Sequence, residues 1–212
     1  MAAQRVIAEL ITARRPDDAI LGEEGLNSGG QSGWQWIVDP LDGTVNYLYG
    51  RADWAVSIAA RNETGRTVAA VVHAPAHGRT YAATLDGGCW LDGRRVTVRH
   101  QQELARAVIG TGFSYDAALR GGQADMLGRL LPQVADIRRA GAAALDLAAV
   151  ANGELDAFYE NDLAAWDWAA GVLLASEAGA SVTELPGPNG RSGVLAATPA
   201  IAGQLTRLLL RR

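Results

Sequence analysis

The sequence has few of the residues that several classes of protein require. Cys89 is the single cysteine among 212 residues, so a framework of internal disulfides is excluded and a reducing compartment is expected. No apolar run is long enough to span a bilayer, and no charged-then-apolar leader opens the chain. We therefore expect a cytoplasmic protein without a membrane partner.

Positive charge is also scarce. The chain has 19 Lys and Arg residues against 23 Asp and Glu residues, which gives a formal net charge of −4. A nucleic-acid-binding surface is normally basic, so we expect no nucleic-acid partner. The hydrophobic content of 49% and the charged content of 20% are typical of a globular protein, and 212 residues can bury a sizeable core.

The pattern of the sequence changes near residue 105. Before that point short strands separated by turns predict an antiparallel meander, and after it strands alternate with helices. We predict a metal-binding α+β half at residues 1–105 and an α/β half at residues 106–212. The predicted meander strands lie at 55–61, 67–73, 80–84 and 96–98, and the predicted later helices lie at 122–131, 142–150, 167–178 and after Pro199.

One stretch, residues 34–46, stands out for its acidic pair. It reads Trp-Gln-Trp-Ile-Val-Asp-Pro-Leu-Asp-Gly-Thr-Val-Asn. Trp36–Val38 predicts a buried strand that delivers Asp39, and Pro40 is expected to end the strand because it has no backbone donor. Asp39 and Asp42 suit Mg²⁺, and a Gly-Thr step that opens a helix suits a phosphate. An ordinary Asp-Pro turn followed by an Asp helix cap is the alternative, and this stretch alone leaves both open.

Three motifs together resemble signatures of the inositol monophosphatase family. Trp36–Asn46 resembles W-I-V-D-P-L-D-G-T-x-N, Trp166–Gly179 resembles W-D-x-A-A-G-x-x-x-x-x-E-A-G, and Gly22–Glu24 resembles the G-E-E that comes before both. Three motifs in the family's order are more specific than any one alone, and the resemblance covers nearly the whole chain. It implies one layered α-β-α-β-α sandwich with an active site in the cleft between the two halves.

The resemblance also implies a Mg²⁺ centre. Its ligands would be the side chains of Glu23, Asp39, Asp42 and Asp167 and the backbone carbonyl of Leu41. Taken without its flanking motif, Asp167 would more simply be a helix N-cap.

Catalytic and substrate-binding roles follow from the same resemblance. Thr44 would orient the attacking water, and Glu160 would contact sugar hydroxyls. Arg138 and Arg139 would help to dock the substrate, although such a pair is usually a solvated strand end. The implied catalytic residues are Glu23, Asp39 and Thr44, and the implied substrate-binding residues are Gly43, Thr44, Gly141, Ala142, Glu160 and Asp167.

A phosphate monoester is a dianion that repels a negative nucleophile, so its hydrolysis needs metal charge and an activated water. No Cys or His is placed as a covalent nucleophile, and the carboxylates favour direct attack by metal-activated water. The sequence predicts a Mg²⁺-dependent phosphomonoesterase acting on inositol monophosphate or a related polyol phosphate. Histidinol-phosphate, fructose-1,6-bisphosphate and dinucleotide phosphatases of the same fold are alternatives, as is a non-catalytic family member that acts as a binding protein. The resemblance further implies a homodimer.

The sequence departs from the family pattern at its start. Relatives carry, ahead of the first helix, a Thr-x-x-Asp step whose aspartate binds a further metal ion. This sequence begins inside the helix that should follow that step, with Met1 where an Arg is expected. We expect either a longer gene product or a family member with an incomplete site that needs more Mg²⁺.

Overall fold

The computed structural model describes residues 2–25, 27–186 and 192–210, and the first half of the chain forms an eight-stranded sheet. Its strands are β1 (Ala19–Gly22), β2 (Asn27–Ser28), β3 (Gln35–Asp42), β4 (Ala55–Arg61), β5 (Thr67–Ala74), β6 (Arg79–Thr84), β7 (Gly88–Leu91) and β8 (Arg94–Val96). Their order across the sheet is β2-β1-β3-β4-β5-β6-β7-β8. β1 and β3 are parallel, whereas β3 to β8 form the predicted antiparallel meander.

The second half forms a five-stranded sheet. Its strands are β9 (Val108–Thr111), β10 (Asp136–Arg138), β11 (Ala157–Leu163), β12 (Ser181–Pro186) and β13 (Ser192–Ala197), in the order β10-β9-β11-β13-β12. β9 is parallel to both β10 and β11, whereas β13 is antiparallel to both of its neighbours. The two sheets come from chain segments on either side of residue 105, although the division into two halves stays a prediction.

Six α-helices lie in the described part of the chain. They are α1 (Ala2–Arg14), α2 (Thr44–Leu48), α3 (Ala117–Leu130), α4 (Ala143–Ala151), α5 (Ala165–Glu177) and α6 (Pro199–Leu210). None of the helices within residues 2–25, 27–186 and 192–210 is long and apolar enough to cross a membrane.

The helices and sheets alternate in five layers, which confirms the predicted sandwich. α1 packs on the outer face of the eight-stranded sheet, where Ile11 meets Val38. α4 and α5 lie between the sheets and bury Leu147 and Leu174 against Ile37. α3 and α6 cover the outer face of the five-stranded sheet, in a separate apolar cluster. Adjacent residues in a strand point to opposite faces, so Ile37 and Val38 serve two different core clusters.

The two central helices approach each other closely. A Cβ at Gly171 in α5 would lie 2.5 Å from the Cβ of Leu147 in α4. A side chain at position 171 would collide with Leu147, so α4 and α5 can pack this closely only because residue 171 is glycine. α5 also contacts β3, the strand that carries Asp39 and Asp42.

Candidate active site

Asp39 lies in an irregular stretch of β3. The strand pairs with β4 at Asp39 and again at Asp42, and the ladder shifts register across Pro40. The prediction that Pro40 ends the strand was wrong. The register shift leaves the proline out of the ladder, so its missing N–H breaks no sheet hydrogen bond. The Leu41 N–H donates to Asp39 Oδ1 at 2.8 Å and fixes the orientation of this carboxylate.

Gly43 and Thr44 turn the chain from β3 into α2. Gly43 has a φ of 85°, and a Cβ there would lie 2.7 Å from the carbonyl oxygen of Asp53, so only glycine fits. The Thr44 hydroxyl donates to the Leu41 carbonyl at 3.0 Å. Leu41, Gly43 and Thr44 all line one cleft.

Glu23 reaches the same cleft from the neighbouring strand. β1 runs parallel to β3 with Gly22 opposite Val38, and the Glu23 N–H donates to the Val38 carbonyl at 3.3 Å. Glu23 and Asp39 are the next residues after this pair along the two parallel segments, so they lie side by side at the same edge of the sheet. The side chains of Glu23, Asp39 and Asp42 line the cleft together.

Glu160 and Asp167 come to the cleft from the second half of the chain. Glu160 belongs to β11, and Asp167 lies in the first turn of α5. Asp167 is not the N-cap that the alternative interpretation suggested, because Ala164 occupies that position. Instead Asp167 Oδ2 accepts a hydrogen bond from the Ala164 N–H at 2.6 Å and so holds the start of the helix.

The start of α4 forms another side of the cleft. Gly141 has a φ of 92°, and the guanidinium of Arg139 lies over it, 2.5 Å from where a Cβ would stand. Gly141, Ala143 and Arg139 line the cleft. Ala142 is only 1% exposed and lies behind Gly43, so the position of Ala142 does not support the expected contact with the substrate.

The sequence did not indicate the remaining wall of the cleft. The wall is the segment Gly112–Asp116, which follows β9, and Leu119 in α3 lies beside it. Asp162 also lines the cleft, in a β-bulge of β11. A Cβ at Gly112 would overlap the carboxylate of Glu160, so the wall lies directly against that side chain. No motif marks these residues, and the glycine that follows a strand is the one local signal of a close approach.

Burial and mutual repulsion raise the pKa of three carboxyl groups in the cleft. Burial, followed by the charges of Asp42 and Glu23, raises the pKa of Asp39 to about 10. Burial and the charge of Asp167 raise the pKa of Asp42 to about 7, and the same two causes raise that of Glu160 to about 8. These acids therefore act on each other across one space of about 590 Å³. A bound cation would relieve their repulsion.

The donor set fits Mg²⁺ in chemistry, although the side chains are not gathered at ligand distances. Within residues 2–25, 27–186 and 192–210, no three His, Cys, Asp or Glu side chains are close enough together to hold a metal ion. Each side chain can, however, rotate about its own torsions toward a cation. Carboxylate and carbonyl oxygens are the ligands that Mg²⁺ takes. The shared cleft and the raised pKa values therefore support a common cation site.

A family model, related sequences and solved structures each match most of this chain. The model of the inositol monophosphatase family matches residues 1–211. An inositol-1-monophosphatase of Mycobacterium leprae is 43% identical over 221 residues, which cover 98% of this chain and 75% of that protein. The Nus factor SuhB of Pseudomonas aeruginosa is 42% identical over 196 residues, which cover 88% of this chain and 70% of that protein. The crystal structure of the extragenic suppressor protein suhB from Bartonella henselae superposes with a TM-score of 0.92 at 36% identity, covering 99% of this chain and 82% of that one.

Proposed function

The chain belongs to the inositol monophosphatase family, and we propose that it is a Mg²⁺-dependent phosphomonoesterase that hydrolyses inositol monophosphate or a related polyol phosphate. The observation that carries this proposal is the convergence of four acidic residues from three separate segments on one cleft. They are Glu23, Asp39, Asp42 and Asp167.

These acidic residues, with the Leu41 carbonyl, would hold Mg²⁺. Mg²⁺ bound there would neutralise phosphate charge and activate the attacking water. The Asp39 carboxylate is oriented by the Leu41 N–H, and the Asp167 carboxylate by the Ala164 N–H.

Thr44 would orient the attacking water. Its hydroxyl donates its proton to a hydrogen bond with the Leu41 carbonyl, so the lone pairs of the oxygen remain available to accept a hydrogen bond from the attacking water. The amides of Gly43 and Thr44 would face the phosphate at the same turn. These groups lie at the junction between β3 and α2.

Glu160 would bind the hydroxyls of the alcohol part. At a pKa of about 8, its carboxyl is largely neutral near pH 7 and can both donate and accept hydrogen bonds. The charges of Asp42, Asp162 and Asp167 act on Glu160, whereas Arg139 is the one cation among the described residues that line the cleft. A second phosphate would meet more repulsion than attraction there, which favours a monophosphate of an uncharged polyol over a bisphosphate.

The test is phosphate release from a panel of substrates at varied Mg²⁺, with a chelator as the blank. The panel contains inositol monophosphate, histidinol phosphate, fructose 1,6-bisphosphate and a dinucleotide phosphate. We expect Mg²⁺-dependent turnover with the highest kcat/KM for inositol monophosphate. A preference for the bisphosphate would overturn the substrate assignment. If no phosphate were released from any of the four substrates, a binding role would be favoured. Relatives that are named Nus factor are consistent with that alternative.

A homodimer and a cytoplasmic location also remain predictions. α2 and the residue after it expose Tyr47, Leu48 and Tyr49, which are 51%, 73% and 81% exposed. An exposed apolar patch of this kind is suited to contact with a second subunit. Light scattering of the purified protein, compared with a Leu48→Ser variant, tests whether the chain pairs through this surface.

A further inference from the structure

Asp162 has a backbone conformation that is unusual for a residue with a side chain. It has a φ of 69°, inside β11, where the pairing with β13 slips between Glu160 and Leu163. Two other described residues besides glycines have a positive φ, Asp86 and Asp92, and both lie in tight turns between strands. Asp162 differs because it lies beside the cleft, where bulges and strained residues commonly serve a function.

The bulge brings the Asp162 carboxylate to the wall segment Gly112–Asp116. The Ser114 hydroxyl donates to Asp162 Oδ2 at 2.7 Å, and Ser114 is buried, with 8% exposed. The backbone pairing of β9 with β11 ends at Thr111 and Tyr159. The Ser114–Asp162 bond therefore continues the attachment between the two elements past the point where the sheet ladder stops.

Ser114 is also the centre of the wall segment's own hydrogen bonds. Its hydroxyl accepts from the Asp116 N–H at 3.0 Å, and its N–H donates to Gln123 Oε1 at 3.0 Å. Its carbonyl accepts from Arg120 Nη1 at 3.2 Å, and Asp116 Oδ1 caps α3 by accepting from the Ala118 N–H at 2.9 Å. The wall segment and the start of α3 are thus one connected piece, and Asp162 ties that piece to β11.

We propose that Asp162 is a positioning residue that fixes the wall segment Gly112–Asp116 against Glu160 and so shapes the part of the cleft that receives the alcohol of the substrate. The proposal rests on the proposed phosphatase function. Asp162 acts through Ser114 and touches no reacting atom. Loosening the wall should weaken substrate binding and leave the chemistry at Asp39 and Thr44 nearly unchanged.

The first test compares steady-state kinetics of Asp162→Gly, Asp162→Asn and Ser114→Ala on inositol monophosphate at saturating Mg²⁺. We expect Asp162→Gly to raise KM by about 10-fold with kcat within about 2-fold, because binding geometry is lost and the reacting groups stay. Asn tolerates a positive φ, and its amide oxygen still accepts from Ser114, so Asp162→Asn should restore most of the affinity. Ser114→Ala should match Asp162→Gly, and combining the two should add little.

Stability separates positioning from a merely structural role. Glycine adopts a positive φ without strain, and this gain offsets part of what the lost bond to Ser114 costs, so Asp162→Gly should unfold at a denaturant concentration close to that of the wild type although it binds substrate less well. Asp92→Gly is the matched control, because Asp92 has a φ of 49° and accepts the Thr80 N–H at 2.8 Å outside the cleft. The control should leave KM unchanged. An Asp162→Gly variant with wild-type KM would overturn the proposal.

Hydrogen exchange tests the attachment without any turnover. Amides of residues 112–116 should exchange faster in Asp162→Gly and Ser114→Ala than in the wild type, and at the wild-type rate in Asp92→Gly. Unchanged exchange in Asp162→Gly would overturn the proposal even in an active enzyme. A wild type without phosphatase activity would instead overturn the proposed function, and exchange would then decide by itself whether Asp162 holds the wall.

Discussion

The carboxylate of Asp42 and the backbone N–H of Ala144 form a buried hydrogen bond of 2.8 Å across 102 residues of sequence. α4 has no side-chain cap of its own, because Ala142 occupies its N-cap position. Asp42 therefore caps α4 from the other half of the chain. One of the proposed metal ligands therefore also joins β3 to α4, so its role in stability and its role in metal binding can be separated by substitution.

We expect Asp42→Asn and Asp42→Ala to differ in stability when Mg²⁺ is removed with a chelator. Asparagine keeps an oxygen that can accept the Ala144 N–H, whereas alanine leaves the helix start without a partner. The alanine variant should be less stable than the asparagine variant by about 1 kcal/mol, a usual value for a lost cap. Denaturant unfolding of both variants measures the difference. Equal stability would show that the bond to Ala144 contributes nothing to folding.

Thr44→Ala should lower kcat by about 100-fold with little change in KM, because the role proposed for the hydroxyl is to orient the attacking water and not to bind the substrate. Thr44→Ser keeps the hydroxyl that donates to the Leu41 carbonyl and should retain most of the activity. Steady-state kinetics on inositol monophosphate distinguish the two variants. A rise in KM with an unchanged kcat would move Thr44 from catalysis to binding.

Local pattern predicted most helices, whereas the resemblance to the family pointed to the four acidic residues that line one cleft. Their role as metal ligands stays a prediction. α4, α5 and α6 lie within a few residues of their predicted positions, since periodicity, a glycine and a proline mark their ends. β7 was not predicted, because it has only four residues and a turn lies directly before it and directly after it. The strand expected at 96–98 ends instead at Val96, and the Val98 N–H donates to the Ala178 carbonyl at the end of α5.

Long-range contacts explain what the sequence could not predict about the cleft. Ser114 and Asp162 are 48 residues apart, and no spacing rule links a serine after one strand to an aspartate in the bulge of another. Asp42 and Ala144 are likewise brought together by the packing of two sheets around α4. Pro40 was misjudged because a register shift, which depends on the partner strand β4, decides whether a proline breaks a ladder.

Gly112→Ala should weaken substrate binding through Glu160. The new methyl group would overlap the Glu160 carboxylate, so either the wall segment or Glu160 has to move. We expect a KM increase of about 10-fold, similar to that of Glu160→Ala, with a smaller change in kcat. Gly121→Ala is the control, because a Cβ there meets nothing within 4 Å. An unchanged KM for Gly112→Ala would show that the close approach to Glu160 does not matter for binding.

Asp18 should make folding sensitive to acid. Its buried carboxylate accepts hydrogen bonds from Arg15, Ser32 and Trp36. The bond from Arg15, followed by the weaker effects of Ser32 and Trp36, lowers the pKa of Asp18 despite its burial. A lowered folded-state pKa gives stability that is complete above the unfolded pKa of about 4 and is lost as the pH falls through the folded value.

Replacement of Asp18 tests this pH dependence. Asp18→Asn should cost about 1–3 kcal/mol of unfolding free energy at neutral pH, because buried partners of a charged group are left poorly paired. The difference from the wild type should shrink as the pH falls below about 4, where the wild-type carboxylate also takes up a proton. Asp17→Asn, at the exposed neighbouring position, should show no such trend. If the difference in unfolding free energy between the wild type and Asp18→Asn stayed constant down to the lowest pH, the charge of Asp18 would not be the source of the stability.

Asp39 gives the most direct test of the cation site, and it does not need turnover. Burial and the neighbouring acids raise its pKa to about 10, so its charged form is costly in the absence of a cation. Mg²⁺ at 100 times its dissociation constant should stabilise the wild type by about 2.7 kcal/mol, which thermal unfolding with and without a chelator detects. Asp39→Asn removes the carboxylate that would bind the cation, with almost no change in volume, so it should be at least as stable as the wild type without Mg²⁺, gain little from Mg²⁺ and show no turnover. Asp125→Asn removes a charge from the exposed face of α3 and should keep the full response to Mg²⁺. A full response in Asp39→Asn would remove Asp39 from the metal centre.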